Sequence, residues 1–125
     1  MKFISTPKAP KAIGPYSQAV AINGILYTSG QIALLPNGEF LSEDVKEQTK
    51  QVLKNLNKIL NEAGSSKALV IKTTIFLTNM DDFLVVNKIY EDFFQTHKPA
   101  RSTVEVKSLP KGALIEIEVI AALKN

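Results

Sequence analysis

Apolar and polar positions divide this chain into strand-like and helical stretches. Ser17 to Ile22 and Ile25 to Ile32 read as strands parted by Asn23-Gly24. That dipeptide suits a type I′ hairpin, whose two central residues both need positive φ. Pro36-Asn37-Gly38 marks a second turn. Beyond it the period lengthens. Val45, Val52, Leu56, Ile59, Leu60 and Ala63 trace one stripe of a helix, while Lys46, Lys50, Lys54 and Lys58 recur every four residues on another. Ser42 is expected to cap that helix near Glu43, with Glu43 and Asp44 complementing its positive end and Gly64 stopping it. Leu69 to Thr78 is rich in β-branched residues and reads as a strand. A second helix starts at Asp81 or Asp82 and turns Phe83, Val86, Tyr90 and Phe93 inward, Phe94 being a further candidate. Pro99 ends that segment. Ser102 to Lys107 follows as a short strand, Pro110-Lys111-Gly112 as a turn, and Ala113 to Leu123 as a long last strand. The order is ββ, α, β, α, ββ, with Phe3-Ile4 a candidate extra edge strand. It predicts an α+β fold.

Alternation in the last strand sets the architecture. Ile115, Ile117, Val119 and Ala121 share one wholly apolar face, whereas Leu114, Glu116, Glu118 and Ile120 share the other. Two amphipathic helices can cover only one side of a small sheet. The opposite face, mixed apolar and acidic, is then uncovered by its own chain, and a second copy is the expected cover. A homo-oligomer meeting through its sheets is therefore expected. Glu116 and Glu118 would lie in or beside the interface, where carboxylates must be paired, hydrated or functional.

Composition narrows the chemistry. The 125 residues make one domain, 1–125, at 45% hydrophobic and 22% charged content. The absence of cysteine excludes disulfides, thiolate metal sites and a thiol nucleophile. A single histidine, His97, argues against a multi-histidine metal site and a serine–histidine triad within one chain; beside Lys98-Pro99 it reads as part of a helix end. The net charge of +3 comes from scattered lysines without a clustered basic–aromatic surface, so a nucleic-acid partner is not expected. The four-lysine helix row reads as a solvated face. No run reaches the roughly 20 apolar residues of a membrane span, and Met1 to Lys11 lacks the apolar stretch of a signal peptide. No membrane partner is expected, and a cytoplasmic location is.

Among 15 basic residues one is arginine: Arg101, in Pro99-Ala100-Arg101-Ser102. Guanidinium gives a rigid planar fork for a carboxylate or phosphate that lysine cannot copy. A structural ion pair is the alternative. If Arg101 and one of the two glutamates share a partly dry cleft, the first can hold a small anion and the second can place water or move a proton. A hairpin between strands 102–107 and 113–123 would bring them together. Three further stretches are candidates. Gly14-Pro15-Tyr16 forces a turn and offers a phenol, and Thr28-Ser29-Gly30-Gln31 has a glycine within a strand, the sign of a bulge or a close backbone approach. Asn87 borders the inward stripe of the second helix, as a partnered polar group or an ordinary surface asparagine.

Taken together these stretches resemble the RidA (reactive intermediate deaminase A, YjgF-like) family. The matching segments are Ile13-Gly14-Pro15-Tyr16-Ser17-Gln18-Ala19, Thr28-Ser29-Gly30-Gln31-Ile32, Asp82-Phe83 with Val86-Asn87 and Tyr90, Pro99-Ala100-Arg101-Ser102 with Val104-Glu105-Val106, and Leu109-Pro110-Lys111 with Ile115-Glu116-Ile117-Glu118. The resemblance implies a chorismate mutase-like sheet with two helices on one face, in a homotrimer with sheets lining the centre and a ligand cleft at each interface. It implies hydrolysis of enamine and imine intermediates (2-aminoacrylate with 2-iminopropanoate, and 2-iminobutanoate) to 2-oxo acids and ammonia, without metal or organic cofactor. It gives Arg101 the substrate carboxylate and Glu116 the water. Alternation leaves Glu116 and Glu118 equivalent; the family match selects Glu116. Tyr16, Ser29, Gly30 and Asn87 match positions of the family's pocket. Thr103 stands where many members carry cysteine, and its backbone is expected to bind ligand. Two rival functions are a non-catalytic sensor of small 2-oxo acids and, less favoured, an endoribonuclease or translation inhibitor.

Overall fold

The hairpin at Asn23-Gly24 forms as the sequence requires. In a computed structural model describing residues 1–125, Asn23 (φ 52°) and Gly24 (φ 78°) are both left-handed. They join β2 (Ala19–Ile22) to β3 (Ile25–Thr28) with Ile22 opposite Ile25. A short β1 (Lys2–Ile4) pairs with β2, as Phe3-Ile4 suggested. The remaining elements are α1 (Val45–Glu62), β4 (Val70–Leu77), α2 (Phe83–Phe94), β5 (Ala100–Glu105) and β6 (Ile115–Ala122). The six strands lie in the order β1-β2-β3-β6-β4-β5. Neighbours are antiparallel except β4 and β5, which run parallel because α2 crosses between them.

The expected hairpin between the last two strands does not form, because β4 separates β5 from β6. The reason lies in burial. In β6, Ile115, Ile117, Val119 and Ala121 are buried and the residues between them half-buried, so the strand needs a neighbour on each side. In β5 only Thr103 is even partly covered, which suits an edge. The first helix also starts later than expected. Asp44, and not Ser42, is its N-cap, accepting from the Lys46 N–H at 2.9 Å, while Ser42 Oγ accepts from the Asp44 N–H at 2.9 Å.

Both helices pack on one face of the sheet. Val52, Leu53, Leu56, Ile59 and Leu60 of α1 and Val86, Tyr90 and Phe94 of α2 close over the buried face of β4 and β6. Phe94 is fully buried and Phe93 only partly, the reverse of the expected emphasis. The other face, carrying Phe3, Val20, Tyr27, Phe76, Val104, Glu116, Glu118 and Ile120, has no helix over it. Tyr27 is 47% and Val104 42% exposed, large values for such residues inside a sheet. No helix is long and apolar enough to cross a membrane.

Candidate functional site

Glu116 stands on the open face, at the point where the chain leaves β3. Past Thr28 the backbone swings away and is caught again by Gln31, which exchanges two bonds with Ile117: Gln31 N–H to Ile117 O at 2.9 Å and Ile117 N–H to Gln31 O at 3.1 Å. Gly30 is thereby pressed against Glu116. A β-carbon at residue 30 would lie 2.6 Å from Glu116 Cδ and 2.9 Å from Cγ, and closer still to Oε2. The missing side chain is the space that the carboxylate occupies. A cavity of about 450 Å³ opens there, lined by Ile13, Tyr16, Gly30, Lys111 and Glu116 among others. Burial raises the Glu116 pKa above the ordinary glutamate range, and the negative charge of Glu118 adds to the rise. Only Glu116 of the two lines the cavity, a distinction that alternation could not make.

Arg101, the second residue of β5, lies on the other side of the sheet. Its register partner is Thr73, itself opposite Val119 on the helix-covered face. Its Nη1 donates to Asn87 Oδ1 at 2.6 Å. Its guanidinium carbon lies 5.0 Å from the Tyr90 ring centroid and 5.3 Å from that of Phe83. Thus α2 presents two rings and an amide along one stripe, and each ring contact is worth about 0.5–1 kcal/mol at an exposed site. The Tyr90 hydroxyl is 2.8 Å from Thr73 Oγ1; burial raises the Tyr90 pKa, against the opposing effects of that bond and of Arg101. The ion pairs of the molecule involve Lys50 with Glu47 and Lys88 with Glu91 and Asp92. Within its own chain Arg101 has no carboxylate partner. A cavity of about 330 Å³ adjoins it, lined by Asn87, Tyr90, Gln95, His97 and Lys98 among others.

Within one chain the two groups therefore do not share a cleft. Glu116 is opposite Phe76 and Arg101 opposite Thr73, three residues apart on β4 and on opposite faces. Two strand spacings across and three residues along put their Cα atoms about 14 Å apart. Tyr16 and Gly30 stand with Glu116, and Asn87 with Arg101. Ser29 lines neither cavity; its Oγ donates to Ser17 O at 2.6 Å and its N–H to Gln18 O at 2.9 Å, which tethers the loop carrying Tyr16. Thr103 is on the same strand face as Arg101, and its Oγ1 is buried without a partner. The Val106 N–H bonds Leu77 O at 2.8 Å, so by the strand period Arg101 and Thr103 turn their N–H groups to the free edge. Gln95 is the C-cap of α2; His97, two residues beyond it, sets its Nε2 2.7 Å from Val70 O at the start of β4. Three or more His, Cys, Asp and Glu side chains do not gather anywhere as a metal set. The sequence reading missed Lys111 in the Glu116 cavity; its left-handed backbone (φ 57°) has no sequence signal, since it is not glycine or asparagine.

Fold and sites define a small chorismate mutase-like α+β protein with a guanidinium that meets no carboxylate of its own chain and a carboxyl whose pKa is raised by burial. The family described as Endoribonuclease L-PSP matches residues 6–123. "Putative regulator AldR" of Lactococcus lactis is 56% identical over the whole of both chains. The human 2-iminobutanoate/2-iminopropanoate deaminase is 49% identical, over 96% of this chain and 88% of its own. Among solved structures, Escherichia coli TdcF with bound serine matches with a TM-score of 0.94 at 42% identity, covering 99% of this chain and 100% of that one. The chain belongs to this family, the RidA or YjgF-like proteins.

Proposed function

We propose that this protein hydrolyses reactive 2-imino acids and their enamine tautomers, such as 2-iminopropanoate and 2-iminobutanoate, to 2-oxo acids and ammonia, acting in the cytoplasm as a homotrimer. The observation that carries the reading is the sole arginine, clamped by Asn87, Phe83 and Tyr90 yet lacking any carboxylate of its own. Human and mouse relatives at about half identity bear the name of this activity. The catalytic cleft is composite. Arg101 of one copy meets Glu116 of the next, which also covers the open sheet face and the free edge of β5.

In the cleft the Arg101 fork takes the substrate carboxylate, joined by the outward amide of Thr103. Asn87 holds the guanidinium in plane. Glu116, reaching in past Gly30, orients a water. It accepts the water's proton as oxygen bonds to C2 of the iminium. The proton then passes to nitrogen, Glu116 takes the remaining hydroxyl proton, and the C–N bond breaks, so that ammonia leaves as the 2-oxo group forms. Water is the only co-reactant. Tyr16 donates to the ligand or to the departing nitrogen, from a loop that Ser29 tethers. General acid–base help of about 10²–10⁴ is enough for a reaction already fast in water.

Coupling the protein to a threonine or serine dehydratase and trapping surviving imine with semicarbazide tests this. The trapped adduct should fall with wild-type protein and not with Arg101→Ala. A second reading, a regulator that binds 2-oxo acids, draws on the name of the Lactococcus lactis relative. It wins if a 2-oxo acid binds saturably while ammonia release is not accelerated.

A further inference from the structure

The helix α1 buries amides where leucines would serve. Gln48 is 1%, Gln51 8% and Asn55 1% exposed, on the face that packs against the sheet. Buried amides cost stability unless bonded, so the destinations of their bonds matter. Gln48 Oε1 accepts from the Leu114 N–H at 2.9 Å and its Nε2 donates to Ser42 O at 2.7 Å. Asn55 Nδ2 donates to Leu34 O at 2.9 Å and, more weakly, to Ile32 O at 3.4 Å. Gln51 Nε2 donates to Asn55 Oδ1 at 2.8 Å and so fixes which way that amide points.

Both destinations border one cavity. Ile32 and Leu34 of one chain segment and Pro110 and Lys111 of another both line the Glu116 cavity, as two stretches of its wall. Leu114 joins that second stretch to β6, two residues before Glu116. The stretches are also tied to each other through the paired bonds of Gln31 and Ile117. We infer that Gln48 and Asn55 are positioning residues, holding the two stretches of the Glu116 cavity wall and so setting where its carboxyl stands. The Glu116 carboxyl fills the space that a side chain at Gly30 would take, so a small wall displacement changes its contact with water. Neither residue touches the cavity itself. The inference rests on the proposed role of Glu116 only in its kinetic consequence.

The test uses the full chain with Gln48→Leu, Gln48→Glu and Asn55→Ser. Glu116 is titrated by carboxyl-¹³C NMR, and kcat and KM are measured for imine made in situ. A buried neutral glutamic acid keeps both the acceptor and the donor of Gln48, so Gln48→Glu is the rescue. Gln48→Leu should lower the Glu116 titration midpoint by about half a pH unit or more as water enters. It should lower kcat about tenfold or more, with KM little changed. Gln48→Glu should restore both. Asn55→Ser, too short to reach Leu34, should act like Gln48→Leu, and decides the matter if the leucine variant does not fold. Folded variants with reduced Tm but an unmoved Glu116 titration overturn the inference and leave these amides as simple fasteners. If wild-type protein does not hydrolyse imines, the proposed function fails while the titration still decides this point.

Discussion

Arg101 lies over two rings with one nitrogen given to Asn87, a geometry that an ammonium cannot reproduce. Arg101→Lys keeps the charge and loses the fork, so kcat/KM should fall about 10²-fold in the trapping assay. Retained turnover would mean that charge alone suffices. Gly30→Ala places a methyl where the Glu116 carboxyl stands. It should cost about 10² in kcat with only a small change in Tm, because a misplaced reacting group costs rate more than stability. The raised Glu116 pKa has a fixed sign. Between the ordinary glutamate pKa and the raised one, the folded state holds more protons than the unfolded. Stability therefore falls as pH rises through that window. Glu116→Gln should remove this fall and leave the variant relatively more stable at neutral pH, as read from urea midpoints across pH. At this scale the sequence was informative where a residue type is unusual, as with a lone arginine or a glycine in a strand. It was silent on Gln48 and Asn55, since a buried amide and a solvated one look alike in a helical pattern.

Each helix and strand was foreseen, and so was the β2–β3 hairpin, but the neighbours of the last two strands were not. Alternation tells which side chains share a face; it does not tell which strand lies next to which. The shortest route from β5 to β6 is a hairpin, yet β6 is apolar enough to need partners on both flanks and took the place between β3 and β4. That displacement put β4 between Arg101 and Glu116, and the register of β5 and β6 on β4 set them on opposite faces. Helix starts were blurred for a local reason: Ser42, Glu43 and Asp44 offer competing caps, and only backbone geometry chooses. Asp44 bonds the Lys46 N–H inside the helix, whereas Ser42 bonds a residue before it. Asp44→Ala should therefore cost about 1 kcal/mol of unfolding free energy and Ser42→Ala clearly less, measured by urea denaturation. Equal losses would show that the two residues share the capping.

At the scale of the whole molecule, the sequence led to an expectation of further copies. Phe3, Tyr27, Phe76 and Val104 lie on a face without helices, which the proposed trimer would cover. Light scattering should return about three chain masses, and Tyr27→Asp, which sets a charge in the covered face, should give monomer without turnover. Complementation tests the composite cleft directly. Arg101→Ala and Glu116→Gln proteins, each inactive alone, should regain about a quarter of wild-type activity when unfolded together and refolded at equal ratio. Random mixing leaves about that share of interfaces with both groups intact. A mixture as inactive as its parents would place the whole site within one subunit.

The back-to-back placement of guanidinium and carboxyl on a single sheet has a consequence for the newborn polypeptide. With the composite cleft proposed above, a chain fresh from the ribosome would carry both halves of its chemistry facing away from each other, and would be mute until sister chains arrive. Specific activity should then collapse on dilution below the concentration at which the chains stay together, so that the supply of protein sets the output per molecule as well as the number of molecules.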